Sequence, residues 1–462
     1  MEAKEIVEKA DVLRAQLSSG FRDEIVKSLY LEAEKVARRA VRPAGDKRAD
    51  LDQKIDRIVT APLTGLPIML GLLGVVIWLT VSGANVVSDS IANILFWIGD
   101  QGKNLFDWLR MPWWISGFVW DGVYRGLAWV VSVMLPPMAI FFPAFTILED
   151  LGYLPRVAFN LDWLYRKSGA HGKQALTMAM GFGCNAAGVV STRVIDSPRE
   201  RLIAILTNNF VPCNGRFPTL IMLATVFVAA GFSGFTASFI AAGAVVGVVL
   251  IGVAFTFFMS WLLSRTVLKG EASAFTLELP PYRRPNVWRI LYTSLIDRTL
   301  FVLWRAMQTA APAGAVIWVL ANIPYGSGSL AGAIAHWLNP FGILLGLDGV
   351  ILLAYIIAIP ANEIVVPTMM MVYMGAGMMV EGPSTNEAIR SLLVNGHGWT
   401  MLTAVNLMLF SLLHNPCGTT ILTIYKETKS ARWAAMSVVI TLGTAFIVTF
   451  VTASVARWLG WV

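Results

Sequence analysis

Long apolar runs interrupted by short polar clusters organise most of this chain. From residue 57 onward, several runs reach the roughly 20 residues that a helix needs to cross a bilayer. The pattern predicts a first span at about Pro62–Val81. Residues 85–110 then alternate apolar and polar faces through Ile91, Ile94, Leu95, Ile98, Leu105 and Leu109, which predicts an interfacial helix on the outer side. A second span follows at 122–148. Residues 174–192 are apolar but too glycine-rich for an ordinary span, and 201–230 are interrupted at Pro212–Pro218. A long span at 235–264 precedes a basic loop from Arg265 to Arg298, and later spans fall near 300–322, 349–375, 398–425 and 433–456. About eight to ten inserted segments are expected, some of them half-helices.

Met1–Asp56 differs: it is polar, almost balanced in charge and loosely helical, with Ile6, Val7, Leu13, Leu17, Ile25, Leu29 and Val36 on recurring positions. It reads as a cytosolic helical stalk ahead of a transmembrane domain spanning 57–462; a membrane-surface anchor is the competing reading. Arg156, Arg166, Lys167 and Lys173 follow the second span, whereas the preceding outer stretch holds only Lys103 and Arg110. The positive-inside rule therefore puts the N-terminus in the cytoplasm.

Composition agrees with a polytopic membrane protein: 56% of the 462 residues are hydrophobic and 14% charged, against about a quarter charged in soluble domains. The net charge of +7 is spread over loops, which suits anionic lipid in the bilayer and not nucleic acid. Three cysteines, none in an extramembrane loop, make a disulfide framework improbable. No GxxxxGK[ST] phosphate loop and no HExxH occur, and no nucleophile–base pair stands out, so an enzyme is not expected.

The chemistry concentrates at the breaks. Each cysteine occupies one: Gly181-Phe182-Gly183-Cys184-Asn185, Pro212-Cys213-Asn214-Gly215 and His414-Asn415-Pro416-Cys417-Gly418. Broken backbone is kept in hydrocarbon only where it lines a cavity or is buried in protein. Thiols, an imidazole, amide oxygens and freed carbonyls suit a borderline-soft divalent ion. Structural packing of the cysteines, with Asn and His in interhelical hydrogen bonds, stays open for the same residues. The Pro-Cys pairs echo one another, and paired interruptions in two halves point to a transport site. Pro360-Ala361-Asn362-Glu363 places a carboxylate inside an apolar stretch, where burial costs about 2.5 kcal/mol or more unless compensated. Glu363 could coordinate an ion, carry a proton or pair with an arginine. The methionines Met369–Met379 after it read as flexible packing.

Taken together, these motifs resemble the membrane domain of the ferrous iron transport protein B family, as do Leu148-Glu149-Asp150-Leu151-Gly152-Tyr153-Leu154-Pro155-Arg156 and Thr192-Arg193 followed by Arg199-Glu200-Arg201. The resemblance implies an all-α bundle with discontinuous helices in two gate-like repeats, about 122–264 and 298–456. It implies Fe2+ uptake across a bacterial inner membrane, with the ion as cargo and no permanently bound cofactor. Cys184, Cys213 and Cys417 would lie on or near the path, with Asn185, His414, Asn362 and Glu363 beside them. Family members typically begin with a GTP-binding domain. The expected partners are therefore a cytosolic GTPase supplied outside this sequence, a small cytosolic accessory protein and, in a homo-oligomer, further copies of the chain. Gate-like repeats are also similar to those of nucleoside transporters, which keeps an organic solute as an alternative cargo. A non-transporting scaffold or receptor is the third reading.

Overall fold

The computed structural model describes residues 21–40, 47–270, 281–326, 328–380 and 386–460. Almost all of them are helical; the strands among them are a two-residue antiparallel pair, Pro324–Tyr325 with Gly328–Ser329. Six helices among the described residues are long and apolar enough to cross a membrane, or seven when one bent pair is counted. Part of the difference from the pattern has a simple cause, although the 22-residue helix Phe301–Asn322 is also outside the six. The helices Gln174–Gly183, Asn185–Ser191 and Val365–Tyr373 are half-length pieces that no span criterion counts alone.

Within the expected stalk, Phe21–Ala40 and Lys47–Val59 are helical; 1–20 and 41–46 lie outside the described residues. Arg156, almost fully buried, ties the second of these helices to the membrane domain. Its guanidinium grips Asp56 through both carboxylate oxygens at 3.0 and 3.2 Å. It also donates to the Gly152 carbonyl at 2.8 Å and lies 4.1 Å from the Tyr282 ring, whose hydroxyl donates to Asp56 at 2.9 Å.

One expectation is corrected here. The first span and the supposed interfacial helix at 85–110 are a single helix, Pro62–Trp108, of 47 residues. At 1.5 Å per residue it is about 70 Å long, more than twice the hydrocarbon thickness. Gly83 and Gly99 weaken a helix by only about 1 kcal/mol each and do not stop it. Tertiary contacts hold the extension in place: Lys103 pairs with Asp121 at 2.6 Å, and the Tyr124 hydroxyl donates to the Leu95 carbonyl at 2.9 Å. Gly102 leaves room for the Trp120 ring.

The next long element runs Trp113–Asp150, widened to a π-helical turn at Gly117–Tyr124 and carrying Pro136, Pro137 and Pro143. The expected long span is the helix Gly234–Arg265, and the last is Ala431–Trp458. Part of the supposed basic loop is helical at Val287–Thr293, leading into Phe301–Asn322. Leu330–Leu344, unmarked by the span pattern, folds back on Gly349–Ile357 with a 110° bend. Gly346 turns the chain at φ 67°, and Asp348 caps the second helix, its carboxylate accepting from the Ile351 amide at 2.8 Å and the Trp399 indole at 3.1 Å.

Four breaks share the centre. Cys184 separates Gln174–Gly183 from Asn185–Ser191. Val211–Cys213 separate the helical segment ending at Phe210 from Asn214–Leu223. Residues 358–361 part Gly349–Ile357 from Asn362–Tyr373, and 414–417 part Met401–Leu413 from Gly418–Thr428.

Candidate functional site: a thiol-lined cavity between broken helices

The residue at each break is extended because proline or glycine nearby prevents the helix from continuing. Cys184 adopts φ −154°, ψ 124°, and Ala361 in the other half adopts φ −151°, ψ 117°. Each is followed by an asparagine that starts the next helical piece, Asn185 and Asn362. This second structural echo, between Cys184-Asn185 and Ala361-Asn362, was invisible in the sequence because the cysteine has no cysteine counterpart. Cys213 and Cys417 form the other matched pair, each extended and each immediately preceding a helical turn.

These breaks converge on one cavity of about 30 Å³. Its lining includes Cys184, Cys213, Cys417, Asn185, Asn362 and Glu363. The structure thus brings together six of the seven residues singled out by sequence. The seventh, His414, stands behind the wall: its Nε2 lies 3.3 Å from the Asn362 amide, and its Nδ1 is 2.9 Å from the Ser411 carbonyl. The Ser411 carbonyl and the Asn362 oxygen both accept, so the tautomer decides which contact is a hydrogen bond, and the ring packs beside Asn362 in either case. Among the described residues no three His, Cys, Asp or Glu side chains are close enough to hold a metal ion together.

Glu363 is half-buried and forms no ion pair among the described residues. Its carboxylate instead packs on Gly215, from the Cys213 break. The nearby arginine that might have neutralised it, Arg216, is used otherwise. Arg216 is 1% exposed and donates to the carbonyls of Asn209 (2.9 Å), Leu412 (2.6 Å), His414 (3.1 Å) and Asn415 (3.4 Å). Asn209 adds a bond to the His414 carbonyl at 2.8 Å and meets the Asn185 amide at 2.9 Å. One guanidinium thereby satisfies the carbonyls that two broken helices release. Sequence reasoning missed Arg216; the available signal was a cation three residues after a proline–cysteine break within an apolar run.

Asn208 fills the remaining gap, donating to the Asn185 carbonyl at 3.1 Å. It fits only because Gly181 and Gly188 lack side chains: a Cβ there would stand 2.9 and 2.6 Å from its amide. The methionines after Glu363 are elsewhere, with Met369, Met370, Met371 and Met379 buried in the core. Val302 and Thr419 line both the thiol cavity and a larger apolar cavity of about 490 Å³ whose wall includes Glu149 and Arg305.

Paired broken helices, with backbone freed around a central cavity and polar side chains lining it, are an arrangement that membrane transport sites use. Comparison with known proteins sharpens this. A family described as "Nucleoside recognition", the Gate domain, matches residues 131–227 and 303–431, and one described as "Ferrous iron transport protein B C terminus" matches 245–297. The Fe(2+) transporter FeoB of Staphylococcus aureus (strain MSSA476) is 28% identical over 424 residues, covering 88% of this chain and 60% of the relative. That of Synechocystis sp. is 29% identical, covering 89% and 64%. A Porphyromonas gingivalis protein named as a fusion of Fe(2+) transport protein A with the Fe(2+) transporter FeoB is 26% identical, covering 87% and 51%. The chain belongs to the ferrous iron transport protein B family and corresponds to its membrane domain. It spans under two thirds of the length of these relatives.

Proposed function

We propose that this chain carries Fe2+ across a bacterial inner membrane, the ion passing between Cys184, Cys213 and Cys417 with Glu363 offsetting its charge. The observation that carries this reading is the convergence of three cysteines, from three separate breaks, on a single small cavity. Asn185 and Asn362 offer amide oxygens, and His414 keeps Asn362 in place. Thiols and amide oxygens replace the water that a borderline-soft ion sheds. A conducting site must also release its ion, so the absence, among the described residues, of a closed three-ligand cluster fits passage better than storage.

Cavity size favours an ion over a nucleoside-like solute. Organic ligands occupy pockets of about 300–1,000 Å³, whereas the cavity reached by the cysteines measures about 30 Å³. On this reading the protein is a transporter and not an enzyme. Its N-terminus faces the cytoplasm, and a cytosolic GTPase acts on the helices Phe21–Ala40 and Lys47–Val59. The Asp56–Arg156 pair supports that route, since it joins the second of them to the membrane domain. The fused Porphyromonas gingivalis relative supports a small accessory protein as a further partner.

Radioactive Fe2+ uptake into proteoliposomes tests the proposal, with and without a GTPase and GTP. The wild type is expected to take up iron, and Cys184→Ser, Cys213→Ser and Cys417→Ser to slow uptake sharply. Undiminished uptake by the triple serine variant would end the thiol path.

A further inference from the structure

The far end of the long helix Pro62–Trp108 presents an apolar face that the rest of the described molecule leaves exposed. At about 100° per residue, three faces separate along Val87–Trp108. One packs on the molecule's own body: a Cβ at Gly99 would meet the Tyr124 ring, a Cβ at Gly102 the Trp120 ring, and the Phe106 and Trp120 rings stand edge to face at 5.6 Å. Asn93, Asp100, Asn104 and Asp107 form a second, polar face. The third lies between them. Its members Val87, Ile94, Ile98, Leu105 and Trp108 are between 41% and 78% exposed.

The spacing of this third face is that of a coiled-coil seam. Ile91, Ile98 and Leu105 recur every seventh position, and Val87, Ile94, Gln101 and Trp108 recur every seventh position between them. A 3.5-residue period keeps a stripe turned toward one neighbouring helix along its whole length. Lipid is the other apolar cover, and helix length opposes it. No proline follows Pro67 to bend this helix, and its apolar spanning stretch is Leu63–Thr80. Even at a tilt of about 40°, its length of about 70 Å rises about 54 Å, against about 30 Å of hydrocarbon. The excess falls at the far end, where the stripe runs beside Asp100 and Asp107.

We propose that Val87–Trp108 is a contact between copies of this chain, its stripe pairing parallel and in register with the same stripe of a second copy. Every copy enters the membrane the same way round, so the helices run parallel and each seam residue meets its own counterpart. Gln101 is the one polar member of the seam, and a lone polar seam residue fixes register at some cost in stability. The inference needs the membrane domain and not the iron path.

Single-cysteine cross-linking in the membranes of expressing cells tests it, with copper phenanthroline as oxidant. The wild type, whose three cysteines stand at the central breaks, is the blank. I94C, I98C and L105C should form covalent dimers at least about tenfold faster than N93C, D100C and N104C, because a paired helix holds the two thiols at high effective concentration. Equal rates for the two sets, or no dimers above the blank, would overturn the inference. Spin labels at 94, 98 and 105 that report acyl chains, without faster dimers, would assign the stripe to lipid instead. In a second arm, I94D/I98D/L105D should turn wild-type pairs into single copies when subunits are counted in membrane discs, and an unchanged copy number counts against the seam. The single cysteines sit on an exposed face, so the first arm decides the matter even where the triple variant does not fold. Neither arm reads iron flux, so failure of the iron path leaves the result intact.

Discussion

The Glu363 carboxylate rests against Gly215, on a break from the opposite half of the molecule, so closely that a Cβ at position 215 would collide with it. The atoms in the way are the far end of a flexible side chain, not backbone, so the fold can yield. Gly215→Ala is expected to cost under about 1 kcal/mol of stability, yet to swing the carboxylate away from the thiols. Iron uptake should fall at least about tenfold, the equivalent of roughly 1.4 kcal/mol in the barrier. Thermal unfolding in detergent and liposome flux check the two halves of this expectation. Full flux would show that the carboxylate's position is immaterial.

Arg216 makes the strongest prediction about stability. Replacing it with methionine removes the buried donor from the carbonyls of Asn209, Leu412 and Asn415 and leaves the His414 carbonyl with Asn209 alone. Each such loss costs about 1–3 kcal/mol, so a total of several kcal/mol is expected. Lysine keeps the charge but lacks the planar fork and should rescue only partly. Unfolding midpoints of R216M and R216K measure this, and equal midpoints for wild type and R216M would refute it.

His414 is a positioning residue. Its ring orients the Asn362 amide without lining the cavity. His414→Phe should therefore reduce iron uptake while leaving the alkylation rate of the three thiols close to that of the wild type. A collapse in thiol reactivity would instead put the imidazole in the path itself.

The Asp56–Arg156 pair predicts a pH dependence at the helix Lys47–Val59. Burial pushes the Asp56 carboxyl up, but the hydrogen bonds from Arg156 and Tyr282 and the Arg156 charge outweigh it and hold the group below its ordinary value of 3.8. A depressed folded-state value means the contribution is fully present above the unfolded value and is lost as pH falls through the folded one. Asp56→Asn should loosen the helix Lys47–Val59 at neutral pH by about 2 kcal/mol, the low side for a buried pair because Asp56 remains 26% exposed. Amide hydrogen exchange along that helix reads the change. Wild type and variant should converge in acid; a constant difference down through the folded value would contradict the assignment.

Much of this was legible in the residues. Hydrophobic runs located the long helix Gly234–Arg265 nearly to its ends, and the last at Ala431–Trp458. Proline and glycine marked where helices stop, because those residue types act on the backbone of their immediate neighbours. Local pattern failed where the decision was not local. The helix Pro62–Trp108 runs through a weak polar stretch, supported by Asp121 and Tyr124. Arg216 looks like an unplaceable charge until the carbonyls of residues 412–415, about two hundred positions away, are brought to it.

The sequence by itself determined that the chain enters a membrane, where its helices break, and which side chains stand at the breaks, since hydropathy and backbone chemistry act over a few neighbouring residues. Only the tertiary structure decided that the breaks meet. It set Cys184, Cys213, Cys417 and Glu363, which has no ion-pair partner among the described residues, around one small cavity and placed His414 and Arg216 behind them. Bringing residues so distant in the chain to one point is a property of packing between the two halves, and no local stretch of either half encodes it.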